Sequence, residues 1–70
     1  MKKFLVYFMC ISTEKIGKKY IEDESMYGEN VMDFVDSIID SDTIYRIFGG
    51  NITEEEADRR FAEYRARLDV

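Results

Sequence analysis

Phe4-Leu5-Val6-Tyr7-Phe8-Met9-Cys10-Ile11 is the longest apolar run of the chain, and its reading decides the fold. Eight residues are too few for a globular helix, and aromatic and β-branched types are frequent among them, so the run is a strand. Its apolar character is continuous rather than alternating, which requires burial on both faces and a place at the centre of a sheet. Whichever face receives Leu5, Tyr7, Met9 and Ile11, the opposite one receives Phe4, Val6, Phe8 and Cys10, and each needs an apolar cover.

The residues before the run, Met1-Lys2-Lys3, give it the outline of a secretory leader. The apolar stretch is short for that role, no small-x-small cleavage site follows, and Met9 stands where a lipoprotein site needs a small residue before Cys10. A bilayer span needs about 20 apolar residues. The expectation is a soluble cytoplasmic protein with no membrane contact, in which an unpaired cysteine is ordinary. With no histidine to activate it and an apolar setting, Cys10 reads as a buried, inert thiol.

Beyond the run, Ser12 to Lys19 is polar, with Gly17 available for a positive φ, and Tyr20-Ile21-Glu22 is a weak apolar patch that returns as an antiparallel partner. From Met26 to Ile39 the residues Val31, Met32, Phe34, Val35, Ile38 and Ile39 recur at helical spacing after Ser25, a fair N-cap. Asp40-Ser41-Asp42 ends that pattern. Thr43 to Phe48 has the β-branched and aromatic content of a strand, a short helix being the alternative, and Gly49-Gly50-Asn51 closes it.

Thr53-Glu54-Glu55-Glu56 is a capping box, in which the Thr53 hydroxyl accepts from the Glu56 amide and the Glu56 carboxylate reaches back. The helix it opens has acids at its start, Arg65 and Arg67 near its end, and three i,i+4 pairs: Glu55 with Arg59, Glu56 with Arg60, Glu63 with Arg67. Ala57, Phe61, Tyr64 and Leu68 form its apolar seam. The predicted fold is therefore a single α+β domain over residues 1–70, ordered β-β-α-β-α, with a three-stranded antiparallel sheet and two helices packed on one face. Such packing leaves the other sheet face open, to be covered by a homodimer or a partner unless a helix sits on each side.

Seventy residues hold one small core and bury only about 60% of the surface of the unfolded chain. With 46% hydrophobic and 36% charged residues, the chain is too apolar for a disordered tail. Ten basic against fifteen acidic residues leave a net charge of -5, which argues against direct binding of nucleic acid. There is no histidine and one cysteine, so the commonest catalytic base, the commonest metal ligand and any internal disulfide are missing. The expectation is a protein that is not an enzyme and carries no cofactor or metal. Asp40-Ser41-Asp42 begins like a calcium loop, but Ile44, Tyr45 and Asn51 occupy its essential positions. Gly17-Lys18-Lys19 lacks the rest of a phosphate loop. The lysines Lys2, Lys3, Lys15, Lys18 and Lys19 read as charges that solubilise the sheet edge.

The segment between Tyr20 and Tyr45 contains eight acids and no base. They are Glu22, Asp23, Glu24, Glu29, Asp33, Asp36, Asp40 and Asp42, the candidate partner-binding residues. On a helix Glu29, Asp33, Asp36 and Asp40 fall within about 60° of one another, opposite Val31, Val35 and Ile38. An ordinary solvated face would look like this. Carboxylates at i,i+4 spacing with no counter-ion nevertheless repel one another, and a basic partner would compensate. The corresponding expectation is a small acidic protein-binding module that inhibits a nuclease or other nucleic-acid-processing protein by mimicking phosphates, in the manner of phage or mobile-element anti-defence proteins. Four acids over about 16 Å are sparser than duplex DNA, with one charge per about 1.7 Å, so the loop acids Glu22 to Glu24 and Asp42 would have to contribute at the rim. The alternative is a structural homo-oligomer or complex subunit, a homodimer in the simplest case, in which the acids only confer solubility.

Overall fold

A computed structural model describes residues 1–68. The elements are β1 (Lys2–Cys10), β2 (Ile16–Asp23), α1 (Glu29–Ile38), β3 (Thr43–Phe48) and α2 (Glu54–Leu68). The β-β-α-β-α order and the three-stranded antiparallel sheet are as the sequence predicts, and 43–48 is a strand rather than a helix. The sheet order is β2-β1-β3, so the apolar run is the central strand. No helix of the described residues is long and apolar enough to cross a membrane.

The helices do not share a face. Leu5, Tyr7 and Met9 of β1 are buried with Phe48 of β3 and with Ala57 and Phe61 of α2. Phe4 and Val6, on the opposite side of the same strand, are buried with Val31 and Val35 of α1. The expectation of two helices on one face is thus corrected to one helix on each face. The cause lies in β1 itself, whose two side-chain rows are both too apolar to be left wet. Among the described residues, both side-chain rows of β1 are thus covered from within the chain.

Each half-core has its own aromatic lock. On the α2 side the Tyr7 ring meets Phe48 edge-on, with centroids 5.5 Å apart, and lies 5.2 Å from Phe61. On the α1 side Phe8 meets Phe34 at 5.6 Å. The Phe8 ring also lies directly over Gly17, its cross-strand neighbour, where any Cβ would collide with it. Gly17 therefore serves close approach within β2 and not the turn. The turn at Ile11–Glu14 instead places Glu14 in the left-handed region at φ 57°, and Cys10 closes it by donating to the Lys15 carbonyl and accepting from Glu14. Strand β2 begins at Ile16, four residues before the apolar patch that signals it, because pairing with β1 holds polar residues extended along an edge.

Both helix starts show how the local signals were used. At α2 the Glu56 amide donates to Thr53 Oγ1 at 3.1 Å, which is half of the capping box. The Glu56 carboxylate turns forward instead, to Arg59 at 2.5 Å and Arg60 at 3.0 Å, so Arg59 pairs with Glu56 and not with Glu55. At α1 the N-cap is Gly28, which has no side chain to cap with. Ser25 is not the cap; its carbonyl accepts from the Gly28 amide in the preceding turn.

Candidate protein-binding surface

The missing cap of α1 is supplied from the sheet. Asp23, the last residue of β2, is only 5% exposed, and its Oδ2 accepts from the amide of Val31 at 2.9 Å while Oδ1 accepts from Glu24 at 2.7 Å. Val31 is the third helical residue, the position whose amide an N-cap side chain ordinarily satisfies. Chiefly these amide bonds, that from Val31 foremost, hold the Asp23 carboxyl below its ordinary range. The absence of a Cβ at Gly28 is a condition of this arrangement, since one would run into the Asp23 carboxylate. Of the eight acids picked out by sequence, Asp23 is therefore a buried fastener between β2 and α1 and is not available as a contact.

The remaining seven divide by their work. Glu29, Asp33 and Asp36 are exposed on the outer side of α1, opposite the buried Val31 and Val35. Asp40 lies beyond the helix, which ends at Ile38 with an extended C-cap at Ile39. Its carboxylate accepts from the Asp42 amide at 2.7 Å and from Thr43 Oγ1 at 2.8 Å, so it shapes the turn into β3. Asp42 is half-buried and accepts from the Ser12 hydroxyl at 2.5 Å and from the Cys10 thiol at 3.2 Å. Those bonds, Ser12 first, lower its pKa. Glu22 and Glu24 are exposed beside the start of α1, and Asn30 Nδ2 donates to the Glu22 carbonyl at 3.2 Å.

The helical row is thus three carboxylates, Glu29, Asp33 and Asp36, spanning about 10 Å along the axis. None of the ion pairs among the described residues involves an acid between positions 22 and 42; the acids that are paired are Glu14, Glu54, Glu56 and Asp58. Helix α1 has three acids and no base, whereas α2 mixes five acids with four arginines. The two helices accordingly differ in electrostatic character: α1 carries no base of its own, and the cation nearest it, Lys19, lies over the Phe34 ring at 5.1 Å and forms no ion pair with its acids.

Two features escaped sequence reasoning. The first is a polar cluster at the start of α2: the buried Tyr7 hydroxyl donates to the Asp58 carboxylate, and Lys18 lies 3.4 Å from Glu54 and 3.6 Å from Asp58, with its ammonium 5.5 Å from the Tyr7 ring centroid. Burial, reinforced by the bond to Asp58, pushes the Tyr7 phenol well above its ordinary range. A phenol held as a donor in this way anchors α2 to the sheet. Glu54 and Asp58 stand at i,i+4 beside the apolar seam, and Lys18 is the cross-strand neighbour of Tyr7; only the register joins them. The second is Cys10, expected to be buried and inert. It is half-buried at the sheet end, with its sulfur 3.4 Å from the Ser12 hydroxyl oxygen, and contacts with Ser12 and Thr13 lower the thiol's pKa against the opposing effect of Asp42, to which it donates.

Comparison with protein-family models, curated proteins and solved structures finds no match to this chain.

Proposed function

We propose that the protein is a small acidic binding module that docks α1 onto the basic site of a nuclease or another nucleic-acid-processing protein and inhibits it by occupying the place of phosphates. Glu29, Asp33 and Asp36 form the centre of the contact, with Glu22, Glu24 and Asp40 at its rim. The observation behind this reading is the row of exposed carboxylates on α1 with no ion-pair partner among the described residues. Like charges at i,i+3 and i,i+4 cost a helix a few tenths of a kcal/mol each. A basic partner turns the same repulsion into a source of binding energy and of rapid, steered association. Asp23 adds rigidity, since it fastens the first turn of α1 to the sheet and presents the row on a fixed element.

Charge reversal tests this. The triple variant Glu29→Lys, Asp33→Lys, Asp36→Lys alters the row and spares Asp23, Asp40 and Asp42, whose carboxylates hold turns together. Affinity capture at low salt with the native chain is expected to retain a basic nucleic-acid-processing protein, to release it to added duplex DNA, and to lose it in the triple variant. Capture unchanged by the variant, or insensitive to DNA and salt, would sink the proposal.

A further inference from the structure

The sheet has two edges, and they are built differently. The Ile11 amide donates to the Asp42 carbonyl at 2.7 Å on the β3 side, whereas Cys10 bonds toward β2. Directions alternate along an antiparallel ladder, so Met9, Tyr7 and Leu5 bond β3, and their partners Ile44, Arg46 and Phe48 turn their backbone groups inward. Thr43, Tyr45 and Ile47 turn theirs outward. The Thr43 amide is taken by the Asp40 carbonyl at 3.3 Å; among the described residues, the outward groups of Tyr45 and Ile47 have no backbone partner.

The β2 edge carries four charges, Lys18, Lys19, Glu22 and Asp23, a usual defence against strand addition, although Lys18 and Lys19 lie over the Tyr7 and Phe34 rings at 5.5 and 5.1 Å and Asp23 is buried. The β3 edge, Thr-Ile-Tyr-Arg-Ile-Phe, has one charge, and that one, Arg46, is drawn away over the Tyr64 ring at 4.9 Å. Tyr64 on one side, with Met26 and Tyr27 on the other, makes the walls of a groove along this edge. Tyr27 is 70% exposed, a large aromatic surface left in water beside unpaired backbone.

We propose that this edge pairs with the same edge of a second copy of the chain, β3 antiparallel to β3, with Tyr45 opposite Tyr45 across a two-fold axis. Two-fold pairing must set outward-facing residues against each other. Centring on Arg46 would place two guanidinium groups directly opposite, which is destabilising; centring on Tyr45 sets Arg46 against Ile44, pairs both backbone groups of Tyr45 with its copy, and lets the Thr43 carbonyl, whose own amide is held by Asp40, accept from Ile47. In that register the Asp40–Asp42 turn of one copy runs beside Gly49 and Gly50 of the other, where a second groove is lined by Arg46, Arg59, Arg60 and Arg67 against Glu56 and Glu63, a lining that stays net positive although Arg59 and Arg60 both pair with Glu56. The edge therefore calls for a strand that is apolar, aromatic and acidic at its N-terminal end, and β3 meets all three conditions. The product is one six-stranded sheet with both α1 helices on the same face, which doubles the carboxylate row. The pairing itself does not depend on α1 binding anything.

Sedimentation velocity across a concentration series decides the matter. The native chain is expected to pass from 8.3 kDa to twice that mass as concentration rises. Tyr45→Pro removes an outward amide and spares the inner ladder, as proline on an edge strand can; it is expected to weaken association about tenfold or more with unchanged circular dichroism. Should that variant lose its fold, single cysteines in a Cys10→Ser background give the answer. Tyr45→Cys is expected to cross-link to its copy under oxidation, and Arg46→Cys much less so. A native chain that stays at 8.3 kDa would overturn the proposal and leave the edge to an extended segment of another protein. Undiminished association of a folded Tyr45→Pro, or preferential cross-linking at position 46, would overturn it as well.

Discussion

Asp23 shows how much one side chain can decide in a chain of this size. Its composition class marks it as one more surface acid, yet burial and two backbone amides make it the N-cap that Gly28 cannot be. Its pKa is lowered in the folded state, so its stabilisation is fully present above the unfolded value of about 3.9 and is lost as the pH falls through the lowered native value. Asp23→Asn is therefore expected to melt below the native chain at neutral pH, with the gap closing in acid; melts by circular dichroism between pH 2 and pH 7 would show it. A gap that stayed constant would mean that the carboxylate charge is not what holds α1. Tyr7 acts at the other end of the scale. Its phenol is raised by burial and by Asp58, so its contribution is complete below about pH 10 and fades above it. Tyr7→Phe is expected to flatten the alkaline loss of stability.

At the scale of elements, the helices depend on different sources of order. Helix α2 was legible because its start is local: Thr53 sits three residues from the amide it accepts from. Thr53→Ala is expected to cost about 1 kcal/mol, a fall in Tm of about 4–8 °C for a chain of this size, measured by thermal denaturation. No change in Tm would show that the cap is replaced by solvent at no cost. Helix α1 was legible in its apolar face, Val31 and Val35, and misread in its start by three residues, because its cap comes from another element. The same limit applied to the carboxylate row. Periodicity placed Glu29, Asp33 and Asp36 together, but it extended the row to Asp40, which the end of the helix at Ile38 excludes. Strand β3 was legible through its β-branched and aromatic content, and β2 only in its second half, since Gly17, Lys18 and Lys19 are poor strand formers that cross-strand pairing overrides.

For the whole molecule, the central strand belongs to two half-cores at once. Replacing Leu5, fully buried, by alanine would cost about 2–5 kcal/mol, comparable with the entire stability of so small a domain. Electrostatics acts over the same distance. A net charge of -5 with no ion pair to the acids of α1 among the described residues implies self-repulsion, which salt screens beyond about 8 Å at physiological ionic strength. Tm is expected to rise with added salt in the native chain and to rise less in Asp33→Asn, Asp36→Asn, with differential scanning fluorimetry as the measurement. Equal salt response in both would mean that the row contributes nothing to the field that opposes folding.

The order of the elements, the central position of β1, the cap of α2 and the acidic outer side of α1 could be read along the chain, while 43–48 was favoured as a strand with a short helix left open. Each of these rests on periodicity or on contacts within four residues, where spacing along the chain is also spacing in space. Packing in three dimensions was needed to show that the helices lie on opposite sheet faces, that Asp23 accepts from a helix amide eight residues on, and that Tyr7 meets Asp58. Those facts depend on register and on the direction in which the chain leaves a strand. Two residues separated by an intervening element carry no mark in the sequence of the meeting that packing arranges for them.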